Sequence, residues 1–263
     1  MSTADDSLTG LRQLLQVMRR LRDPQQGCAW DRAQDARSLA PYTLEEAYEV
    51  VAAIEQGNAT SVRDELGDLL FQVVFHAQLA SERGDYVFDD VARAIADKLT
   101  QRHPHVFGQD RDGGHERWEQ IKAAERRARG ARGVLADIPV ALPALTRAAK
   151  IGRRAASVGF DWSDSAGPRA KILEELDEVA SAQLGEGSSS IEDEVGDLLL
   201  AMTSLARHLK VDPETALRRA NSRFEQRFAE MEEIAEKRGF ELTGLSPEGL
   251  DELWREAKQR VQS

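Results

Sequence analysis

The chain has 263 residues, 41% hydrophobic and 31% charged, with a formal net charge of −11, which leaves room for two ordinary domains with filled cores. That acidity argues against a general nucleic-acid binder, which would carry a basic surface, and the single cysteine, Cys28, excludes an intrachain disulfide framework. No apolar run approaches the ~18 residues of a membrane span and the N-terminus lacks a secretory pattern, so no membrane association and a cytoplasmic location are expected.

Leu, Ala, Glu and Arg dominate, a composition that favours helices. Leu8, Leu11, Leu14, Leu15, Met18 and Leu21 recur on one helical face, and Asp23-Pro24-Gln25-Gln26-Gly27 ends that helix. Cys28 to Pro41 reads as a long connection with Cys28 half-buried. Thr43 suits an N-cap, with Glu46 as its capping-box partner, so a helix is predicted from about Leu44 to Gln56, stopped by Gly57-Asn58. The next, from about Ser61 to Arg83, carries Glu65 and Asp68 and turns apolar through Leu69 to Phe75, as a buried bundle helix would. Helices follow over Phe88 to Arg102, capped by Asp89 or Asp90, and over Glu116 to Arg129, with a polar loop at Gln109 to Gly114 between them. Glycines 130 and 133 and prolines 139 and 143 punctuate a packed linker. The expected organisation is a module at 1–130, a linker at 131–143 and a module at 144–263.

The second half repeats the scheme. Helices are predicted over Pro143 to Ala156, Gly167 to Leu184, Ile191 to Leu209 with Ser190 as N-cap, Pro213 to Arg238 with proline at the first position, and Pro247 to Val261. The repeat is clearest in the acids. Glu45-Glu46-Ala47-Tyr48-Glu49 precedes Glu65-Leu66-Gly67-Asp68-Leu69-Leu70; Glu174-Glu175-Leu176-Asp177-Glu178 precedes Glu194-Val195-Gly196-Asp197-Leu198-Leu199. Both copies read E-E-x-x-E, fifteen residues, E-x-G-D-L-L, and lie 129 positions apart. Residues three or four apart share a helical face, so two antiparallel helices would converge Glu46, Glu49, Glu65 and Asp68 in one copy and Glu175, Glu178, Glu194 and Asp197 in the other. Such a cluster repels itself unless a cation resolves it, and all-oxygen ligands select hard ions, Mg²⁺ first and Mn²⁺ second. Most isolated E-x-x-E pairs are solvated surface. The full pattern, written twice at equal spacing beside apolar residues, is not explained that way. Gly67 and Gly196 would permit close approach of a helix or ligand.

Other chemistries lack their signatures. No Glu is followed by His three residues later, as a di-iron bundle would need, and neither a G-x-x-x-x-G-K-[ST] loop nor G-x-G-x-x-G occurs. Arg223 and Arg227 share a face at i, i+4 and are equally readable as a solvated stripe. Trp30, Trp118, Trp162 and Trp254 are few enough to be core residues.

The duplicated acidic pattern resembles the MazG family of nucleoside triphosphate pyrophosphohydrolases, in its full-length two-module form. The likeness extends through Leu21-Arg22-Asp23-Pro24, Gly27-Cys28-Ala29-Trp30-Asp31, Tyr42-Thr43-Leu44-Glu45-Glu46, Arg102-His103-Pro104-His105-Val106-Phe107 and Val158-Gly159-Phe160-Asp161-Trp162. The resemblance implies an all-α fold of tandem helical modules, each a bundle completed by homodimerisation, and Mg²⁺-dependent hydrolysis of nucleoside triphosphates to monophosphate and pyrophosphate. A role in clearing unwanted nucleotides, or one linked to starvation, goes with it. Carried over by motif, Glu175, Glu178, Glu194 and Asp197 would ligate metal, as would Glu46, Glu49, Glu65 and Asp68. Glu174 and Glu175 would be the catalytic carboxylates, Glu174 orienting the attacking water. Lys171, Glu174, Arg223, Phe224, Arg227 and Trp254 would bind the nucleotide. Tyr42 stands where Lys171 stands in the second copy, which favours the second module as the catalytic one. The alternative is a non-hydrolytic helical protein that senses nucleotides or docks a partner.

Overall fold

A computed structural model describes residues 8–108, 121–125, 130, 133–185 and 189–262. The predicted loop at 109–114, Trp118 and residues 186–188 lie outside these, and of the predicted helix over 116–129 only 121–125 is described, as helix. The described residues are helical and contain no strand. The chain divides into two compact units, residues 1–123 and 124–263.

In the first unit α1 (Thr9–Leu21) packs on α4 (Ala59–Arg83), which pairs with α3 (Ala36–Gln56) and also meets α5 (Phe88–Arg102). Short helices α2 (Ala29–Ala33) and α6 (Pro104–Phe107) fill the connections. Met18, Leu39, Val74, Phe75 and Leu79 form the core, with Leu14, Leu15, Phe71 and Phe88 packed around it. Of the apolar stretch of α4, Val74 and Phe75 are buried while Leu70 and Val73 are exposed, so one face of it, and not the whole stretch the sequence suggests, forms the spine.

Helix α3 starts eight residues before the predicted Leu44. Asp35 caps it, its carboxylate accepting from the Arg37 and Ser38 amides at 2.8 Å each while Ser38 Oγ accepts from the Asp35 amide at 3.0 Å. This reciprocal cap satisfies otherwise unpaired donors of the first turn. Pro41 is then carried inside the helix, where it removes one backbone bond, and burial of Leu39 offsets that loss. Thr43 is not a cap: its hydroxyl turns back to the Leu39 carbonyl and lies 3.1 Å from His76 Nε2. Cys28 is exposed rather than half-buried, and Trp30 and Trp162 are exposed rather than core. At α5 the Asp90 carboxylate accepts the Val87 amide at 3.0 Å.

In the second unit α8 (Ala166–Gln183) pairs with α9 (Ile191–His208), and α7 (Ala144–Ala156) packs on α9 and on α10 (Pro213–Arg238). Helix α10 pairs with α11 (Pro247–Gln262) around Met231, Ile234, Ala235, Leu253 and Ala257. Ser190 caps α9 as predicted, accepting from the Asp193 amide at 3.1 Å, and Asp212 caps α10, accepting from the Thr215 amide at 2.9 Å. In each unit the acidic pattern thus lies on a pair of packed helices.

Candidate active site

The α8–α9 pair brings Glu175, Glu178 and Glu194 together, each offering a carboxylate oxygen within 4.8 Å of the others. Glu175 is 3% exposed and Glu194 8% exposed, whereas Glu178 faces solvent. Lys171, one turn before Glu175, drives its ammonium into the group: Nζ lies 2.6 Å from Glu175 Oε1, 2.8 Å from Glu174 Oε1 and 4.0 Å from Glu178 Oε2. Hydrogen bonds to Glu174 and then Glu175 hold the lysine above its ordinary pKa. Glu175 Oε2 is buried with no hydrogen-bond partner. Glu178 is pushed up, first by the adjacent Glu175 carboxylate and then by burial, with Lys171 pulling the other way.

The α3–α4 pair gathers Glu46, Glu49 and Glu65 to the same tolerance. No cation among the described residues pairs with any of the three. Burial first, and then the Asp68 and Glu49 charges, raise the Glu46 pKa; burial, then Glu49 and Asp68, raise that of Glu65. Tyr42, where a lysine would repeat, sets its ring edge-on to Trp30 at 6.0 Å between centroids.

The fourth acid of each predicted set is not part of either triad. Asp68 and Asp197 sit three residues after Glu65 and Glu194, about 60° round the helix, and reach one methylene less far. Asp68 is near enough to repel Glu46. Asp197 lines a cavity of about 320 Å³ that Lys171 and Glu175 also line. Its walls are mostly apolar, from Ala149 and Gly152 on α7, Leu200 and Ala201 on α9, and Phe160 and Trp162 before α8. Glu45 and Glu174 are exposed. A side chain on Gly67 or Gly196 would meet nothing within 4 Å among the described residues, so neither serves a close approach within the chain.

Arg223, Phe224, Arg227 and Trp254 are not among the residues lining this cavity. They belong to α10 and α11, where the Phe224 ring lies 5.1 Å from Trp254 and 6.0 Å from Phe228. The Arg227 guanidinium sits 5.9 Å above Trp254, its Nε buried without a partner. Position along one helix is all that Arg223 and Arg227 reveal in sequence.

One constellation escaped the sequence reading. Arg207 on α9 binds the Asp161 carboxylate through both terminal nitrogens, one at 2.7 Å, and His208 Nε2 lies 3.1 Å from the same group. Arg207 first, and His208 after it, bring the Asp161 pKa down to about 2 against the opposing effect of burial. This clasp fixes the segment carrying Phe160 and Trp162. The only hint in sequence is the Val158–Trp162 stretch itself, because the arginine lies 46 residues away.

Three carboxylates with no nitrogen or sulfur donor suit a hard divalent ion, and the partnerless buried Glu175 oxygen is the kind of ligand atom such an ion satisfies. Paired acidic helix hairpins of this kind, in a chain without strands among the described residues, define an all-α protein with two candidate divalent-ion sites. The model of the MazG nucleotide pyrophosphohydrolase domain matches residues 34–107 and 167–231, ranges that contain the two acidic hairpins. The chain is 49% identical over 253 residues to the nucleoside triphosphate pyrophosphohydrolase of Escherichia coli (strain K12), covering 94% of this chain and 96% of that one. It is 46% identical over 246 residues to the nucleoside triphosphate pyrophosphohydrolase/pyrophosphatase MazG of Thermotoga maritima, covering 94% of each. The chain belongs to the MazG nucleotide pyrophosphohydrolase family.

Proposed function

We propose that this chain hydrolyses nucleoside triphosphates to monophosphate and pyrophosphate in the cytoplasm, with Mg²⁺ as its ion and Mn²⁺ as a substitute, and that the second unit does the chemistry. The observation that carries this reading is the Glu175–Glu178–Glu194 triad, with its partnerless buried oxygen, beside Lys171 and a cavity, in a chain of this family. Glu175, Glu178 and Glu194 hold the ion, with Asp197 reaching it when ligand is present. When bound, a divalent ion neutralises phosphate charge and acidifies water.

The protein's own groups supply position and charge. Lys171 draws the phosphates towards the triad. Glu174, exposed and within 2.8 Å of Lys171, orients the attacking water and accepts its proton. The apolar cavity takes the nucleoside, within the size range of small-molecule sites. Arg223 and Arg227, with Phe224 and Trp254, complete phosphate and base contacts. Because those four do not line the cavity, a homodimer that brings them from a second copy is part of this reading. Exposed apolar side chains on the acidic hairpins, among them Leu66, Leu70, Leu176, Leu199 and Met202, support such pairing. The module expected at 1–130 then selects or regulates and the module expected at 144–263 turns over, joined through the linker at 131–143.

The test is a panel of nucleoside triphosphates incubated with Mg²⁺. Pyrophosphate and monophosphate should appear in equal amounts; orthophosphate alone, or binding without turnover, sinks the proposal.

A further inference from the structure

Lys171 already satisfies much of the charge that a divalent ion would satisfy in the second unit. Its ammonium stands 2.6 Å from Glu175 Oε1 and 2.8 Å from Glu174 Oε1, with Glu178 Oε2 at 4.0 Å. Two cations cannot share that space cheaply, since like charges a few ångströms apart repel in a partly desolvated site. Yet the lysine is an incomplete occupant. It is a single charge on a flexible stem, it meets one oxygen of Glu175, and it leaves the other buried without a partner. In the first unit the equivalent position is Tyr42, and no such internal cation reaches Glu46, Glu49 and Glu65 among the described residues.

We infer that Lys171 is a built-in counter-ion that closes the second unit's cluster to bare divalent cations and opens it to a cation arriving with a polyphosphate. The anion gives the ammonium a second partner and draws it off Glu175, and both Glu175 oxygens then face the ion. Lys171 therefore selects the ligand class: a cation–polyphosphate pair rather than the cation alone. The inference rests on the triad being the ion site of the proposed enzyme, but not on hydrolysis.

The experiment counts Mn²⁺ bound to the full chain by the electron paramagnetic resonance of the free ion. Glu46→Gln with Glu49→Gln silences the first cluster, so that only the second is read. In that background, α,β-methylene-ATP should tighten Mn²⁺ binding at least tenfold beyond what the analogue alone takes up in a protein-free control. Lys171→Gln should bind Mn²⁺ alone at least tenfold more tightly than its parent and gain less from the analogue. Lys171→Arg, which keeps the charge, should behave as the parent. Unchanged or weaker Mn²⁺ binding in Lys171→Gln overturns the inference. A reciprocal arm guards against a misfolded variant: in a chain silenced by Glu175→Gln, Tyr42→Lys should weaken Mn²⁺ binding at the first cluster at least tenfold, and no change there also overturns it. Pyrophosphate release is measured separately. Its absence with the Mn²⁺ pattern intact defeats the proposed activity and leaves the counter-ion standing.

Discussion

The two acidic hairpins share a pattern and differ in how their charge is managed. In the first, Glu46, Glu49 and Glu65 face one another without a cation among the described residues, and burial and mutual repulsion raise the pKa values of Glu46 and Glu65. In the second, Lys171 sits against the group, Glu175 is buried at its centre and a cavity adjoins it. The segment entering each hairpin is fastened differently as well. Arg22 reaches the Asp31 backbone carbonyl and pairs with Glu82 in the first unit, whereas Arg207 and His208 grip the Asp161 side chain in the second. The two copies share the spacing of their acids and differ in surroundings: one is a self-repelling cluster, the other lies against a lysine and beside a cavity.

Turnover breaks the comparison most directly. Glu175→Ala should lower pyrophosphate release on the order of 10²–10³-fold, the scale of deleting one preorganised charge-stabilising group. Glu46→Ala should change it about twofold, within the small effects expected away from the reacting atoms. Steady-state rates with several nucleotides decide the matter, and equal losses would abolish the functional distinction between the units.

The next effect is on stability, and it is read at Asp161 in the second unit. Asp161 has a folded pKa of about 2 against an ordinary 3.8. A depressed carboxylate contributes stability that is complete above its unfolded pKa and is lost as pH falls through the folded one. The window is therefore between about pH 4 and pH 2. At pH 7, Asp161→Asn should destabilise the protein by about 2 kcal/mol. The gap to the wild type in urea midpoint should narrow as pH is lowered through that window. A gap that stays constant with pH would remove the charge from the account of how Phe160 and Trp162 are held.

How much of this was legible in the sequence depends on the range of the interactions. Helices with strong apolar periodicity and local punctuation, such as α1, α4 and α10, show themselves within their own residues. The start of α3 did not, because Pro41 and Thr43 are convincing boundary signals when read one at a time. The Asp35–Ser38 cap upstream outweighs them, and D-x-x-S was the signal available. The triads followed from i, i+3 spacing and the doubled pattern. That Asp68 and Asp197 stand outside the 4.8 Å groupings in this structure depends on side-chain reach, which spacing does not encode. Lys171 contacts Glu174 and Glu175 at i+3 and i+4 and was visible in principle, though the resemblance pointed instead to phosphate. The Asp161–Arg207 clasp and the cavity depend on helices meeting across tens of residues, and no local rule places them.

The smallest predicted effect is the sharpest test of the difference, because its sign reverses between the copies. In EDTA at pH 7, Glu46→Gln removes a carboxylate that its acidic neighbours repel and whose own folded pKa is raised. A raised carboxylate favours the protonated folded state, so its ionised form opposes folding at neutral pH, and the neutral amide should stabilise the metal-free protein by about 0.5 kcal/mol. Glu175→Gln takes a buried charge from beneath Lys171 and leaves the ammonium with Glu174, at 2.8 Å, as its near partner; the protein should lose about 1 kcal/mol. Urea midpoints measure both. Adding Mg²⁺ should erase the gain from Glu46→Gln, because the wild-type cluster then has its own cation to bind. If both substitutions shift stability the same way, the first cluster is not self-repelling and Tyr42 is not what distinguishes it from the second.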